Sequence, residues 1–219
     1  MPICPLCQDS RPSRFLTDKK RSYFRCPRCQ LVFADLHSQL PPQAQQQRFN
    51  KLNPARQKQL SLFINVLIEQ LAGITSGPLE GLNFGGLLPD SVVTLLQQQG
   101  YSLSQYDPFL APDHTVLRHS YDFVCSYRVF EHFNYPLREW ALLCRTLKPG
   151  GFLAISTRLL TDPQQFAKWH YKNNPAHVSF YCQETFEYLA AHHGFTLLFA
   201  ANDLILMQKA AESDITRTP

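Results

Sequence analysis

The sequence has no apolar run approaching the roughly 18 residues that a membrane-spanning helix needs. Its opening, MPICPLCQDS, has neither a basic n-region nor an apolar h-region. The expected location is therefore the cytoplasm, with no membrane partner. A large charge excess is missing too: the formal net charge is +4, too modest to name a partner by itself. Seven cysteines is not an even set, and four of them form two CxxC pairs. That disfavours a secreted disulfide framework and favours metal binding. Core-forming residues are plentiful: 219 residues with 44% hydrophobic content suffice for one principal domain with a small addition.

Cys4 and Cys7 lie in CPLC, Cys26 and Cys29 in CPRC, and the full pattern is C-x2-C-x18-C-x2-C. This is four-cysteine zinc spacing, in which two turns each bring two thiolates to one ion at about 2.3 Å. Residues 1–34 are too few to fold on apolar burial, so zinc would act as their core, with binding coupled to folding. A closed site of this kind offers no position to substrate and reads as structural. Redox cycling of the CxxC thiols is the other reading. Between Arg11 and Arg28 seven basic residues face one acid, Asp18. Such a ribbon can hold nucleic acid through phosphates, but is more often a solvated face.

Residues 35–54, rich in Gln and Pro, read as a linker with one helical turn. Leu60, Phe63, Leu67 and Leu71 then recur at helical spacing up to Gly73, predicting an amphipathic helix that packs on the core. From residue 79 strands and helices alternate: LEGLNFG, the helix DSVVTLLQQQ, SLSQYD, a short strand near HTVLR, YDFVCSY, the helix LREWALLCRTL, and a KPGG turn into FLAIST. After a long loop come the helix QETFEYLAAHH and a tight pair, FTLLFAA and DLILMQK, joined at Asn202-Asp203. The alternation predicts an α/β, doubly wound sheet with helices on both faces, and the tight pair an antiparallel edge strand. Residues 55–210 would form this domain and 211–219 a flexible tail.

In such a sheet a ligand lies beyond the carboxyl ends of the strands, beside the first. There LNFGGLLPD runs from a strand through a glycine turn into a helix. Gly85 and Gly86 keep the first turn, and Asp90 or Ser91 is expected to cap the helix, whose N-terminus favours a carboxylate. Asp107 closes the second strand, where an acid would accept from both ribose hydroxyls of a nucleotide-like cofactor. An Asx-Pro turn is its other reading.

The segments LNFGG, YDPF, YDFVCSYRVFEHF, LKPGGFLAIST and AHVSFYCQETF, in that order, resemble signature segments of class I S-adenosylmethionine-dependent methyltransferases. The resemblance is to a bacterial subgroup with an N-terminal four-cysteine zinc ribbon, and it covers nearly the whole chain. It implies a Rossmann-like methyltransferase sheet and S-adenosylmethionine as cofactor, held by Asn83, Gly85, Gly86, Asp107, Arg128 and Glu131. Two departures stand out. Where the family's first motif reads acid-x-G-x-G-x-G, Asn83 replaces the acid, and Leu87 and Pro89 replace the second and third glycines. Leu87 adds bulk there and Pro89 removes a donor. Arg128 stands where relatives place an acid, and its charge suits the cofactor carboxylate.

Methyl transfer is an in-line displacement in which positioning does most of the work, sometimes with a base removing a proton. His132 and His177 are the candidate bases, placed where family members line the substrate mouth, and Tyr181 is a secondary candidate. For each histidine a hydrogen-bonded structural role is the other reading. The aromatic stretch FAKWHYKNNPAHVSFY reads either as a lid or as a satellite core. The chain is expected to be a methyltransferase acting on an unidentified small molecule. The alternative is a catalytically inactive, methyltransferase-like, zinc-containing binding or regulatory protein, which the interrupted glycine turn favours.

Overall fold

The computed structural model describes residues 2–49, 51–75, 77–201 and 203–211. In chain order its elements are β1 (Ser13–Thr17), β2 (Ser22–Arg25), β3 (Val32–Ala34), α1 (Pro42–Phe49), α2 (Pro54–Ala72), β4 (Leu79–Phe84), α3 (Asp90–Gln98) and β5 (Tyr101–Tyr106). They continue with β6 (Tyr121–Tyr127), α4 (Pro136–Arg145), β7 (Leu147–Ser156), β8 (Ser179–Phe180), α5 (Gln183–His193), β9 (Phe195–Ala201) and β10 (Leu204–Lys209).

The main sheet has the order β5-β4-β6-β7-β10-β9. The pairs β4/β5, β4/β6 and β6/β7 are parallel, as alternating helices require. Successive residues of the inner strands point to opposite faces, and each face carries a core. Val124, Leu153 and Ile155 pack with Trp140 and Leu143 of α4 and with Phe186 and Leu189 of α5. Phe123, Cys125, Phe152 and Ala154 pack with Leu60, Ile64, Leu67, Ile68 and Leu71 of α2 and with Leu96 of α3. The antiparallel strand, however, is not at the edge as the hairpin suggested. β10 pairs antiparallel with both β7 and β9, so the hairpin inserts its second strand into the sheet and leaves β9 outermost. Of the joining residues, Asn202 lies outside those described.

Local signals explain most boundaries and two misreadings. Asn53 accepts from the amide of Arg56 and Pro54 opens α2, while Gly194, at φ +68°, closes α5 in the left-handed region. No side chain caps α3: Pro89 holds the N-cap place, so neither Asp90 nor Ser91 does. The expected strand near residues 114–118 is a 3-10 turn over Val116–Arg118, because Asp113 accepts from the amide and hydroxyl of Thr115 and turns the chain. Among the described residues no helix is long and apolar enough to cross a membrane.

A second sheet, β1-β2-β3-β8, joins the N-terminal hairpin to a much later stretch of the sequence. β8 comes from the stretch just before α5, yet it pairs with β3 through Val32–Phe180 and Phe33–Ser179. Tyr23, Phe166, Phe180 and Trp169 pack edge-on or tilted beneath this sheet, with Phe166 fully buried. The aromatic stretch is thus mainly a satellite core under the ribbon. The ribbon's arginines are largely engaged as well: Arg11 pairs with Asp9, Arg25 lies over Phe15 and Arg28 over Tyr188.

Candidate functional site

A cleft of about 1410 Å³ opens beyond the carboxyl ends of β4, β5 and β6, where the strand order reverses. Its walls include the glycine turn, Asp107, Arg128, His132 and His177, and α1 contributes Phe49. Phe49 stacks on Phe109 and meets the His132 ring edge-on, with centroids 4.9 Å apart. The glutamine-rich stretch read as a linker therefore forms part of the wall, which polar composition alone concealed.

In the glycine turn Gly85 and Gly86 both adopt positive φ, +92° and +79°. A Cβ on Gly85 would stand 2.4 Å from Cγ2 of Val129, so that glycine serves close packing against the β6 exit. Gly86 donates its amide to Oδ2 of Asp107 at 2.7 Å, while Oδ1 accepts from the amides of Phe109 and Leu110, each at 2.9 Å. The bonds at Oδ1 are those of the Asx turn expected at Asp107. Three of its roughly four lone-pair positions are filled, which leaves room for one further donor rather than two. Leu87 lines the cleft and Leu88 turns into the core. Asn83 does not reach the cleft: fully buried, it donates to Gly86 O at 3.0 Å and clasps the turn from behind. Its position in the motif pointed to the cofactor, but its side chain is spent on the loop.

The two histidines meet at the cleft, their ring centroids 4.8 Å apart. Nδ1 of His132 faces Ala176 O at 2.9 Å, and Nδ1 of His177 faces Tyr171 O at 2.8 Å. Carbonyls only accept, so both rings carry their proton on Nδ1 and present a lone pair at Nε2. That of His177 receives Nδ2 of Asn174 at 2.9 Å, whereas Nε2 of His132 has no protein partner among the described residues. Burial pushes His132 down to about 4, helped by Arg56 and Arg48 and opposed by the Ala176 bond. Burial and the neighbouring His132 push His177 to about 4 as well. Both are neutral at physiological pH.

Glu131, nearly inaccessible, accepts from Thr157 at 3.0 Å and from the Tyr171 hydroxyl, so its carboxylate anchors the loop at the margin of the cleft. Burial, with Glu131 beside it, holds the Tyr171 hydroxyl well above the ordinary tyrosine range. Arg128 sits at φ +54° at the end of β6 and pairs with Asp203 at 3.1 Å. Its Nη1 is buried and has no partner among the described residues. Burial opposes its charge, but Tyr171, Asp203 and Glu131 outweigh that and raise its pKa. Tyr181 is absent from the cleft: it stacks on Phe186 and lies edge-on to Phe130 inside the core, which corrects its candidacy as a catalytic group. Tyr171, Thr157, Asn174 and Arg56 went unnoticed in the sequence. Only Tyr171 gave a signal, as one aromatic of the long loop.

The four N-terminal thiols converge, all lying within 4.8 Å of one another. Cys4 and Cys29 are 3.6 Å apart, Cys7 and Cys26 3.4 Å. Each pair is followed by a residue in the left-handed region, Gln8 at φ +60° and Gln30 at +61°, whose amide returns to the first cysteine's carbonyl. The two knuckles are thus alike. The Cys29 thiol donating to Cys4 brings Cys4 down to about 6, while burial raises Cys7 to about 12.

Residues 56–199 match the family model described as methyltransferase domain. No curated protein sequence matches the chain significantly. Among solved structures, an S-adenosylmethionine-dependent methyltransferase from Thermotoga maritima is 15% identical over 72% of this chain and 94% of that one, with a TM-score of 0.43. A protein assigned as a methyltransferase from Bacillus halodurans is 17% identical over 61% of this chain and 67% of that one, with a TM-score of 0.47. The family assignment rests on the domain match.

Proposed function

This chain belongs to the methyltransferase domain family, and we propose that it transfers a methyl group from S-adenosylmethionine to a small molecule, with His132 as the base. The observation that supports this most is the Nε2 of a neutral, half-buried His132, without a protein partner among the described residues, on the wall of the cleft at the sheet's switch point. Bound S-adenosylmethionine supplies an electrophilic methyl group on a sulfonium.

The residues present fit such a cofactor. The cleft is large enough for cofactor and acceptor together. Arg128 brings a buried donor with no protein partner among the described residues, which suits a carboxylate. Asp107 would accept one ribose hydroxyl on its remaining lone pair, and Gly85 and Gly86 shape the turn that Asp107 holds. His132 receives the proton of the attacking group at Nε2, its tautomer held by Ala176 O. His177, whose own Nε2 is already bonded, backs the His132 ring rather than acting as a second base. Loss of the later glycines places Leu87 on the wall of the cleft. An inactive binding or regulatory protein is the reading that the family match does not favour.

For the ribbon we infer a structural zinc. A tetrahedron with bonds of about 2.3 Å has sulfur–sulfur edges of about 3.8 Å, and the pairs at 3.4 and 3.6 Å lie close to that edge. Four protein ligands leave no open position for substrate.

The test is calorimetric titration of S-adenosylmethionine and S-adenosylhomocysteine into wild type and a Leu87→Gly, Pro89→Gly variant. Micromolar binding by wild type is expected. Silence from both proteins would sink the cofactor assignment, and binding only after glycine replacement would mean that the natural loop has lost it.

A further inference from the structure

We propose that Arg21, on the ribbon hairpin, is a positioning residue for the active-site base: it pins the loop carbonyls through which the fold fixes the His132 ring. The inference rests on the reading of His132 as the base.

Arg21 lies at the end of the turn between β1 and β2, far from the cleft in sequence. Its Nη1 donates to His177 O at 2.8 Å, and its Nη2 donates to Lys172 O and, at 3.3 Å, to Asn174 O. Three carbonyls of one loop thus converge on one planar guanidinium, a geometry that the single head of a lysine does not reproduce. Other hairpin residues grip the loop too. Asp18 accepts from Lys172 Nζ at 2.8 Å, and the Tyr23 hydroxyl donates to Lys172 O at 3.4 Å. Lys172 is only 4% exposed, so its ammonium is shielded from water while Asp18 stays partly open. Burial raises the Asp18 carboxyl, but Lys172 and two backbone amides outweigh it and bring the group to about 2.

Each bond that orients the two imidazoles comes from this loop: Tyr171 O and the Asn174 side chain hold His177, and Ala176 O holds His132. Asn174 links grip and ring, because its carbonyl accepts from Arg21 while its Oδ1 accepts from the Ala176 amide at 3.1 Å. The path is Arg21, Asn174, Ala176, His132. It makes the ribbon a strut for the cleft, which explains why a closed metal-type cluster is built onto a domain with a core of its own.

The experiment is nitrogen-15 spectroscopy of the histidine rings in the full-length chain, with metal content and fold measured alongside. In wild type His132 should show the Nδ1–H tautomer and titrate near 4. The groups facing the two rings are each other, Tyr171, Glu131, Arg48, Arg56 and Arg21 itself. Because the Arg21 charge adds to the depression of His177, Arg21→Lys is the decisive variant: it keeps the charge and loses the fork. We expect a tautomer mixture at His132 and a titration displaced upward, at unchanged metal content and secondary structure. Asn174→Ala, which cuts the next link, should produce the same change and serves should the Arg21 variants fold poorly. An unaltered His132 tautomer and titration in Arg21→Lys and Asn174→Ala would overturn the proposal. No step here needs bound cofactor, so failure of S-adenosylmethionine to bind would count against the methyltransferase reading alone.

Discussion

The carbonyl oxygen of Ala176 and Nδ1 of His132 stand 2.9 Å apart, and this bond leaves the other ring nitrogen aimed at the cleft with its lone pair free. His132→Gln removes that lone pair with little change of volume. With an acceptor identified from a small-molecule panel and labelled S-adenosylmethionine, turnover should fall about 100-fold or more, while calorimetric affinity for the cofactor stays within about twofold. Undiminished turnover would remove His132 from the reaction.

Asp107 both builds the turn and offers one free lone pair. Asp107→Ala forfeits three backbone bonds and should cost about 1–3 kcal/mol of stability as well as about tenfold or more in cofactor affinity. Asp107→Asn can keep the two bonds at Oδ1 if its oxygen takes that place. It should therefore melt closer to wild type and still bind the cofactor weakly. Equal binding by Asn and Asp would show that the carboxylate does not touch the ribose.

The adjacent glycines differ in what surrounds them. Gly85→Ala forces a methyl within 2.4 Å of Val129 on top of positive φ, a loss of about 3 kcal/mol from overpacking and backbone strain. At Gly86 the nearest atom would be 3.6 Å away, so only the strain of about 1–2 kcal/mol remains. Val129→Ala should recover part of the first loss and none of the second. Chemical denaturation of the four variants tests that pattern.

His132 and His177 titrate near 4 in the folded chain, against an ordinary value of 6.5. Between those values the unfolded chain binds more protons, so stability is full above about pH 6.5 and falls as pH drops toward 4, by about 1.4 kcal/mol per pH unit for an isolated histidine. The rings are in contact, so their joint slope is less than twice that. Urea midpoints at pH 5 and 7 should separate in wild type and draw together in His177→Gln. A flat wild-type profile would contradict the burial of these rings.

Metal analysis should return one zinc per chain, and Cys29→Ser should lower both zinc content and melting temperature. A metal-free chain with an unchanged melting curve would show that the thiol cluster needs no ion.

The doubly wound sheet was legible because hydrophobic runs and helical periodicity alternate from Leu79 onward, and the cysteine cluster because C-x2-C spacing leaves few geometries. Asp107, Arg128 and His132 could be placed at strand ends, and therefore at the cleft. Less could be said of where side chains point. Asn83 and Tyr181 occupy suggestive places in their motifs but turn inward, one to clasp a loop and the other to stack on Phe186. The position of β10 depended on a choice between two sides of a hairpin, which the local pattern leaves undecided. Arg21 was one basic residue among seven, and its partners lie about 150 positions away, beyond any periodicity.

That β3 takes its last neighbour from Ser179–Phe180 also sets an order of events during synthesis. The cysteine turns are made before β8, so the sheet beside them has an open edge at that stage. That edge stays unpaired until nearly 150 further residues have been made. Until then β3 lacks its last neighbour, and the segment that supplies it follows directly on the Tyr171–His177 loop that Arg21 holds. The strand that completes the small sheet and the loop that carries His177 to the cleft are therefore one stretch of chain, and a chain truncated before residue 179 keeps the loop but lacks the strand that ties it to β3.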